Sequence, residues 1–250
     1  MVDFHTHILP GIDDGSRNIE ETITLLKEAE ENGFDKIILT PHYLENTYEE
    51  NEEIRSFLLE KVKQCVPQSK LELYLASEIY VTYNMIELLK EKQASTINKT
   101  RYVLFELPMN RKISNLNSVV YGLLENKYIP VIAHPERYKY VQEDPNMLID
   151  LINLGVLFQA NFGSLIGIYG NEAKKTVKLL LKSNMIHFMG SDVHMANTIY
   201  PQMNRIMKEL NKVISEDKIQ EITELNPNLV LQNKEIPTEE PQKIKKFGLF

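Results

Sequence analysis

Two hydrophobic periods alternate along this chain. Short apolar runs recur at 2–5, 35–40, 71–78, 102–106, 129–134, 156–160 and 186–190, and each reads as a strand. Between them, apolar residues return at helical spacing. Ile19, Ile23 and Leu26 share one face of a helix that Gly33 stops, with Asn18 and Glu21 as a capping pair. A second helix is predicted from Thr47, with Glu50 three residues on and the face Ile54, Leu58, Val62 and Cys65. Further helices are predicted over 84–92, 115–126, 145–154 (closed by Gly155), 172–183 and 201–213. Ala173, Val177 and Leu180 face inward on the sixth, and Met203, Ile206, Leu210 and Val213 on the last.

Strands that are short, apolar and separated by helices imply parallel pairing with helices outside. Seven βα units without a second boundary predict an α/β barrel spanning 1–233, with its active site at the C-terminal rim of the strands. An open doubly wound sheet is the alternative. The first strand is not followed by G-x-G-x-x-G, which counts against a dinucleotide-binding version. Residues 234–250 differ in character: Ile236-Pro237-Thr238-Glu239-Glu240-Pro241 reads as a linker, and Lys243 to Phe250 is basic and then apolar. A flexible tail is expected there.

Composition narrows the classes. The chain has 250 residues, 43% hydrophobic and 25% charged, as in an ordinary globular protein. A net charge of −7 disfavours a general nucleic-acid binder, which needs a basic face. The single cysteine, Cys65, allows no internal disulfide and fits a reducing cytoplasm. The start carries no basic region followed by an apolar one, so no signal peptide is expected, and no run is long enough for a membrane span.

The chemistry lies at the strand ends. His5 and His7, His42, Glu78, Glu106, His134, Asp192 and His194 all fall at or just after the end of a predicted strand. In a parallel barrel those ends open on one rim, where active sites are built. The sixth histidine, His187, stands near the start of its strand, which places it at the opposite face. Histidine and carboxylate without thiolate suit Mn, Fe or Zn in a hydrolytic site. So many ligands exceed the needs of one ion; two or three are implied, with a carboxylate bridging, as in sites that clamp a phosphoryl oxygen. A cysteine-dependent phosphatase would need Cys-x5-Arg, but Leu71 stands six residues after Cys65, on what is read as a packed helix face.

His5-Thr6-His7, Asp13-Asp14-Gly15, Thr40-Pro41-His42, His134-Pro135-Glu136-Arg137 and Ser191-Asp192-x-His194 together closely resemble the polymerase-and-histidinol-phosphatase (PHP) superfamily. The likeness extends from Met1 to about Asn233 and is closest to the bacterial manganese-dependent protein-tyrosine phosphatases of capsule and exopolysaccharide gene clusters. It implies a distorted (β/α)7 barrel with a three-metal centre, Mn²⁺ above all. His5, His7, Glu78 and Asp192 would hold one ion. Glu78, Glu106 and His134 would hold the second, and Asp14, His42 and His194 the third. Asp13 would cap the loop. Arg137 would grip phosphate, which suits a planar guanidinium. Catalysis would rest on Arg137, Glu106 and Asp192, by direct attack of activated water with no cysteine nucleophile. The partner would be a phosphotyrosine-bearing protein, a bacterial tyrosine kinase of the same pathway. One departure stands out. The family's second arginine, about five residues after the final histidine, is missing from Met195-Ala196-Asn197-Thr198-Ile199-Tyr200. Phosphate binding would then lean on Arg137, the metals and backbone amides of the loop 163–170. Tyr138, Tyr140 and the loop around Phe162 are candidates to stack on a substrate ring. Histidinol-phosphate phosphatase, another small-molecule phosphomonoesterase and a metal-binding scaffold are the competing readings.

Overall fold

A computed structural model describes residues 1–245. It contains β1 Val2–Thr6, β2 Lys36–Leu39, β3 His42–Tyr43, β4 Glu72–Leu75, β5 Glu78–Tyr80, β6 Tyr102–Glu106, β7 Ile129–Ala133, β8 Leu157–Asn161 and β9 Phe188–Gly190. All paired strands run parallel, in the orders β1-β2-β4 and β3-β5-β6-β7-β8-β9. β2 continues into β3 through Thr40-Pro41, and β4 into β5 through Ala76-Ser77. Nine strands are therefore seven staves, two of them broken. The ring closes where Asp192 N donates to His5 O at 2.8 Å and His7 N to Val193 O at 3.0 Å. Distortion concentrates between β4 and β6, where the segment around Ser95 fills the gap; Ser77 N donates to Ser95 O at 3.1 Å. The result is a distorted seven-stave α/β barrel.

Helices cover the outside: α1 Ile19–Glu31, α2 Glu52–Cys65, α3 Met85–Lys90, α4 Leu116–Glu125, α5 Lys139–Glu143, α6 Met147–Asn153, α7 Asn171–Lys182 and α8 Met203–Asn211. α1 begins as its cap predicts, with Glu21 N donating to Asn18 Oδ1 at 2.9 Å. α2 departs from expectation. It starts at Glu52, capped by Asn51, and buries Arg55, Leu59 and Val62. The face is rotated by about one residue, so Ile54 is exposed and Cys65 is an exposed thiol rather than a packed one. Arg55 causes the rotation: its guanidinium reaches inward to Gln93 O at 3.0 Å and Ser95 Oγ at 2.9 Å. Beyond α8, two short helices follow that no apolar period announces, α9 Glu216–Gln220 and α10 Asn226–Leu231, joined by a π-helical turn over Glu221–Leu225. They close the barrel floor, with Val230 in its core and Asn226 Nδ2 donating to His187 O at 3.2 Å.

The interior has two layers. Below lies an apolar plug of Val2, Phe4, Ile38, Ala76, Tyr102, Leu104, Val131, Ala133, Leu157 and Phe188. Phe4 and Phe188 stack with centroids 4.0 Å apart, an arrangement that stabilises by about 0.5–1.5 kcal/mol beyond the area buried. Following the strand period upward from the plug leads to Thr40, Glu78, Glu106, Gln159 and Asn161, so side chains above it are polar.

Residues 234–245, expected as a flexible tail, run along the body instead. Tyr102 Oη donates to Lys234 O at 2.6 Å and Gln242 N to Ser183 O at 2.8 Å. Ile244 exchanges two backbone bonds with the Asn146 side chain, at 2.8 and 2.9 Å. The remainder of that tail, 246–250, lies outside the described residues. Among the described residues no helix is long and apolar enough to cross a membrane.

Candidate metal centre

Three backbone irregularities aim the site. β1 carries one extra residue against β2, with Asp3 opposite Ile37 but Thr6 opposite Leu39. Val2 and Phe4 belong to the plug; the bulge then hands the inward position to His5 and His7. His134 follows Ala133 directly in the left-handed region, at φ 33°, and Asp192 adopts φ 53°. Non-glycine residues held there carry strain, which clusters at functional sites. Gly190 permits the last close approach: a Cβ on it would meet His5 Cβ at 2.7 Å and Gln159 Nε2 at 2.9 Å.

All nine expected ligands meet at the C-terminal rim. His5 Nε2 lies 3.0 Å from His7 Nε2. Glu78 Oε2 lies 3.2 Å from His5 Nε2, 3.4 Å from His7 Nε2 and 3.0 Å from His42 Nδ1. Glu78 Oε1 lies 2.9 Å from His134 Nε2. Asp192 Oδ1 is 3.7 and 3.4 Å from the same nitrogens of His5 and His7. Asp14 Oδ1 stands 3.4 Å from both His42 Nε2 and His194 Nε2. Glu106 approaches His42 Nδ1 at 3.6 Å and His134 Nε2 at 3.8 Å.

Donor atoms gather in three sets: His7, Asp14, His42 and His194; His5, His7 and Asp192; His42, Glu78 and Glu106. This regroups the expected partition: Glu78 stands with His42 and Glu106 rather than with His5, His7 and Asp192, and His134 belongs to none of the three sets although its Nε2 meets Glu78 Oε1. His7 joins the Asp14 set as well as the His5 set, and His42 also stands with Glu78 and Glu106.

The surroundings decide which ring nitrogens are free. His5 Nδ1 meets Gln159 Oε1 at 2.8 Å, and His7 Nδ1 meets Asp13 Oδ2 at 2.8 Å. Each acceptor fixes the proton on Nδ1 and leaves an Nε2 lone pair. The two Nε2 atoms then face each other at 3.0 Å. Glu78 Oε2 is buried and lacks a directed hydrogen bond although three imidazoles surround it. Ring nitrogens and a carboxylate oxygen converging in one buried space need protons or a cation between them and are suited to holding the latter. The residues therefore fit divalent ions.

Asp13 is not in the donor sets. Its Oδ1 accepts from Gly15 N at 2.9 Å, and its Oδ2 accepts from His42 N at 3.0 Å besides holding His7. It caps the loop, as expected, and orients a ligand as well.

Charges follow the same map. Burial alone would raise Glu78, but the His5 and His42 imidazoles and the His134 hydrogen bond hold its carboxyl well below the usual range. Asp192 is likewise held low despite burial, by His5 and His7. Glu106 goes the other way: burial, reinforced by Glu78, pushes it up to about 8. The His194 hydrogen bond draws Asp14 down to about 2.

Arg137 Nη1 donates to Asp192 Oδ2 at 2.8 Å, and Asn161 Nδ2 donates to the same oxygen at 2.6 Å. Oδ1 is left to face the histidines. Gln159 Nε2 donates to Asn161 Oδ1 at 2.9 Å, so a polar chain on β8 ties His5 to Asp192. Gln159 and Asn161 were absent from the expected site. Two amides two residues apart on an otherwise apolar strand were the available signal.

One expectation fails here, and a second narrows. Tyr138, Tyr140 and Phe162 are buried and cannot receive a substrate ring; Tyr138 Oη instead spans Leu107 N and Ala133 O. In the loop 163–170, the amides of Gly167, Ile168 and Gly170 are spent on Ser164 O, Gly163 O and Gly167 O.

A family profile described as capsular polysaccharide synthesis, CpsB/CapC, matches residues 1–232. The chain belongs to the CpsB/CapC family. CapC of Staphylococcus aureus is 36% identical over 256 residues, covering 100% of both chains. A chain from the crystal structures of YwqE from Bacillus subtilis and CpsB from Streptococcus pneumoniae, described as unique metal-dependent tyrosine phosphatases, superposes with TM-score 0.91. It is 31% identical, over 98% of this chain and 100% of that one. Histidinol phosphate phosphatase from Lactococcus lactis, solved with zinc, L-histidinol and phosphate, matches at TM-score 0.57 and 12% identity over 85% of this chain and 93% of that one, a likeness of fold alone. Barrel and rim are thus those of a hydrolase fold that binds metal in its relatives.

Proposed function

We propose that this CpsB/CapC chain is a metal-dependent protein-tyrosine phosphatase. Its ions are held by His5, His7, Asp14, His42, Glu78, Glu106, His134, Asp192 and His194, with Mn²⁺ the expected metal and Fe or Zn compatible with the same donors. The observation that carries this reading is the pair of His5 and His7 Nε2 atoms turned toward each other at 3.0 Å, each ring held at Nδ1 by Gln159 or Asp13. Bound ions would supply Lewis acidity toward the phosphoryl group and toward water.

The chain's own residues do the rest. Arg137 is anchored on one edge by Asp192. Its remaining N–H groups supply charge-assisted bonds to the phosphoryl oxygens, whose negative charge is spread further in the transition state. Burial and the neighbouring Glu78 push the Glu106 carboxyl up to about 8, so a bound cation is what would keep it ionised as a ligand. Cys65 takes no part, being an exposed thiol at the end of α2. The substrate proposed is phosphotyrosine on a protein of capsule synthesis, a cytoplasmic tyrosine kinase by the family resemblance.

One experiment tests the reading. The purified chain is analysed for metal and assayed, with Mn²⁺ added, on a phosphotyrosine peptide and on histidinol phosphate. Preferential hydrolysis of the peptide, abolished by His134→Ala, is expected. Absence of activity with Mn²⁺, or activity unaffected by His134→Ala, would sink the phosphatase reading. Preference for histidinol phosphate would replace the substrate.

A further inference from the structure

The loop after β8 is spent on one side chain. Phe162–Ile166 forms a 3-10 turn, and the amides that follow close on the loop's own carbonyls. Gly167 and Gly170 sit at φ 88° and 92°, a region that side-chain-bearing residues rarely adopt, and so turn the chain back on itself. Glu136 anchors the base: its Oε1 accepts from Ser164 Oγ at 2.6 Å and from Asn161 N at 2.9 Å. Gly163 leaves room above, since a Cβ there would come within 3.2 Å of the Tyr169 ring.

Tyr169 is delivered onto Arg137. The guanidinium carbon lies 4.5 Å from the ring centroid. The Tyr169 hydroxyl reaches to 3.4 Å from Asp192 Oδ2, the same oxygen that accepts from Arg137 Nη1. Arg137 is therefore held twice, on one edge by a carboxylate and on one face by a ring. Two such constraints fix the plane of a group that is otherwise costly to order, since a free arginine side chain carries about 2 kcal/mol of rotamer entropy.

We propose that Tyr169 is a positioning residue: it holds the Arg137 guanidinium in the plane that turns its free edge to the substrate phosphoryl group. The inference rests on the reading that Arg137 grips phosphate. Tyr169 itself does not touch the reacting atoms. Its effect belongs to the phosphoryl group and is independent of what that group is attached to, so it covers inorganic phosphate as well.

The test uses the full, Mn²⁺-loaded chain with Tyr169→Leu, Tyr169→Phe, Arg137→Ala and the double variant Arg137→Ala/Tyr169→Leu. Binding of inorganic phosphate is measured by calorimetry, KM and kcat on a phosphotyrosine peptide by assay, and metal content by analysis. A cation–π contact of ordinary strength corresponds to about 3- to 30-fold in affinity. Tyr169→Leu is expected to weaken phosphate binding and raise KM by such a factor with metal content unchanged. Tyr169→Phe keeps the ring and recovers most of that loss. In the Arg137→Ala background, Tyr169→Leu adds nothing. Independent, multiplying losses from the two sites would overturn the proposal. So would a Tyr169→Phe as impaired as Tyr169→Leu, because the hydroxyl rather than the ring would then matter. If Arg137→Ala binds phosphate like the unaltered chain, the phosphate-gripping reading falls, and this inference with it.

Discussion

The chain's six histidines divide between two ends of one barrel, and the two groups are buried for different reasons. At the rim, His5, His7 and His134 are essentially inaccessible, yet their nitrogens face other nitrogens and carboxylates. At the floor, His187 is also buried, but its Nδ1 accepts an ordinary bond from Phe158 N at 3.1 Å. Burial, aided by Lys218, pushes His187 down to about 3, so it stays neutral. At the rim the same burial penalty still lowers His134, but at His5 and His7 the carboxylates outweigh it and favour a charged ring, so that a bound cation would take the place of a proton. The difference teaches that burial alone does not mark a functional histidine. What marks it is a ring nitrogen turned toward other ring nitrogens and carboxylates, where a cation can take a proton's place.

Removing the shared counter-charge at the rim should have the largest effect. Glu78→Gln keeps the shape and deletes the charge that three imidazoles surround. Breaking a buried charge pair costs about 3–5 kcal/mol, or about 10²- to 10⁴-fold. Ion retention and phosphatase activity should fall together by that order. An active, metal-replete Glu78→Gln protein would remove Glu78 from the centre.

A smaller loss is expected one step behind the ligands. Asp13→Asn leaves every proposed ligand in place but loosens the proton on His7 Nδ1. Partners of this kind are worth about 10- to 100-fold in metal affinity. Titration of stripped protein with Mn²⁺ should show a shift of that order. Unchanged affinity would reduce Asp13 to a loop cap.

The smallest effect on activity is expected at the floor. Below pH 6.5 the unfolded chain protonates His187 whereas the folded one does not, until about pH 3. Stability from this group is therefore complete above pH 6.5 and declines as pH falls through that window, by about 2 kcal/mol at pH 5. His187→Gln should flatten this part of the acid limb in urea unfolding at pH 7 and pH 5 while phosphatase activity persists. An acid limb identical to that of the unaltered chain would assign the slope to other groups.

Much of this was legible before the fold was seen. Strand ends could be located because apolar runs stop abruptly, and His42, Glu78, Glu106, His134, Asp192 and His194 mark those stops. Other features were hidden because they depend on distant residues. α2 turned its face because Arg55, polar by composition, found carbonyl and hydroxyl partners near Ser95. α9 and α10 were missed because a π-helical turn and Pro227 interrupt any period. The glycines of the loop 163–170 suggest free backbone amides. Those glycines instead turn the chain and clear space for Tyr169.

By itself the sequence determined the alternation of strand and helix, the seven staves and the residue types at their ends, because period and composition are local properties. It also carried the motifs that identify the family. Which nitrogen of each histidine faces the centre, which carboxylate is shared and which is merely a brace emerge only from the folded chain. Those choices depend on contacts such as His5 with Gln159 and Arg137 with Tyr169, between residues far apart in the chain. They exist only once the barrel has closed β9 onto β1 and brought the rim together.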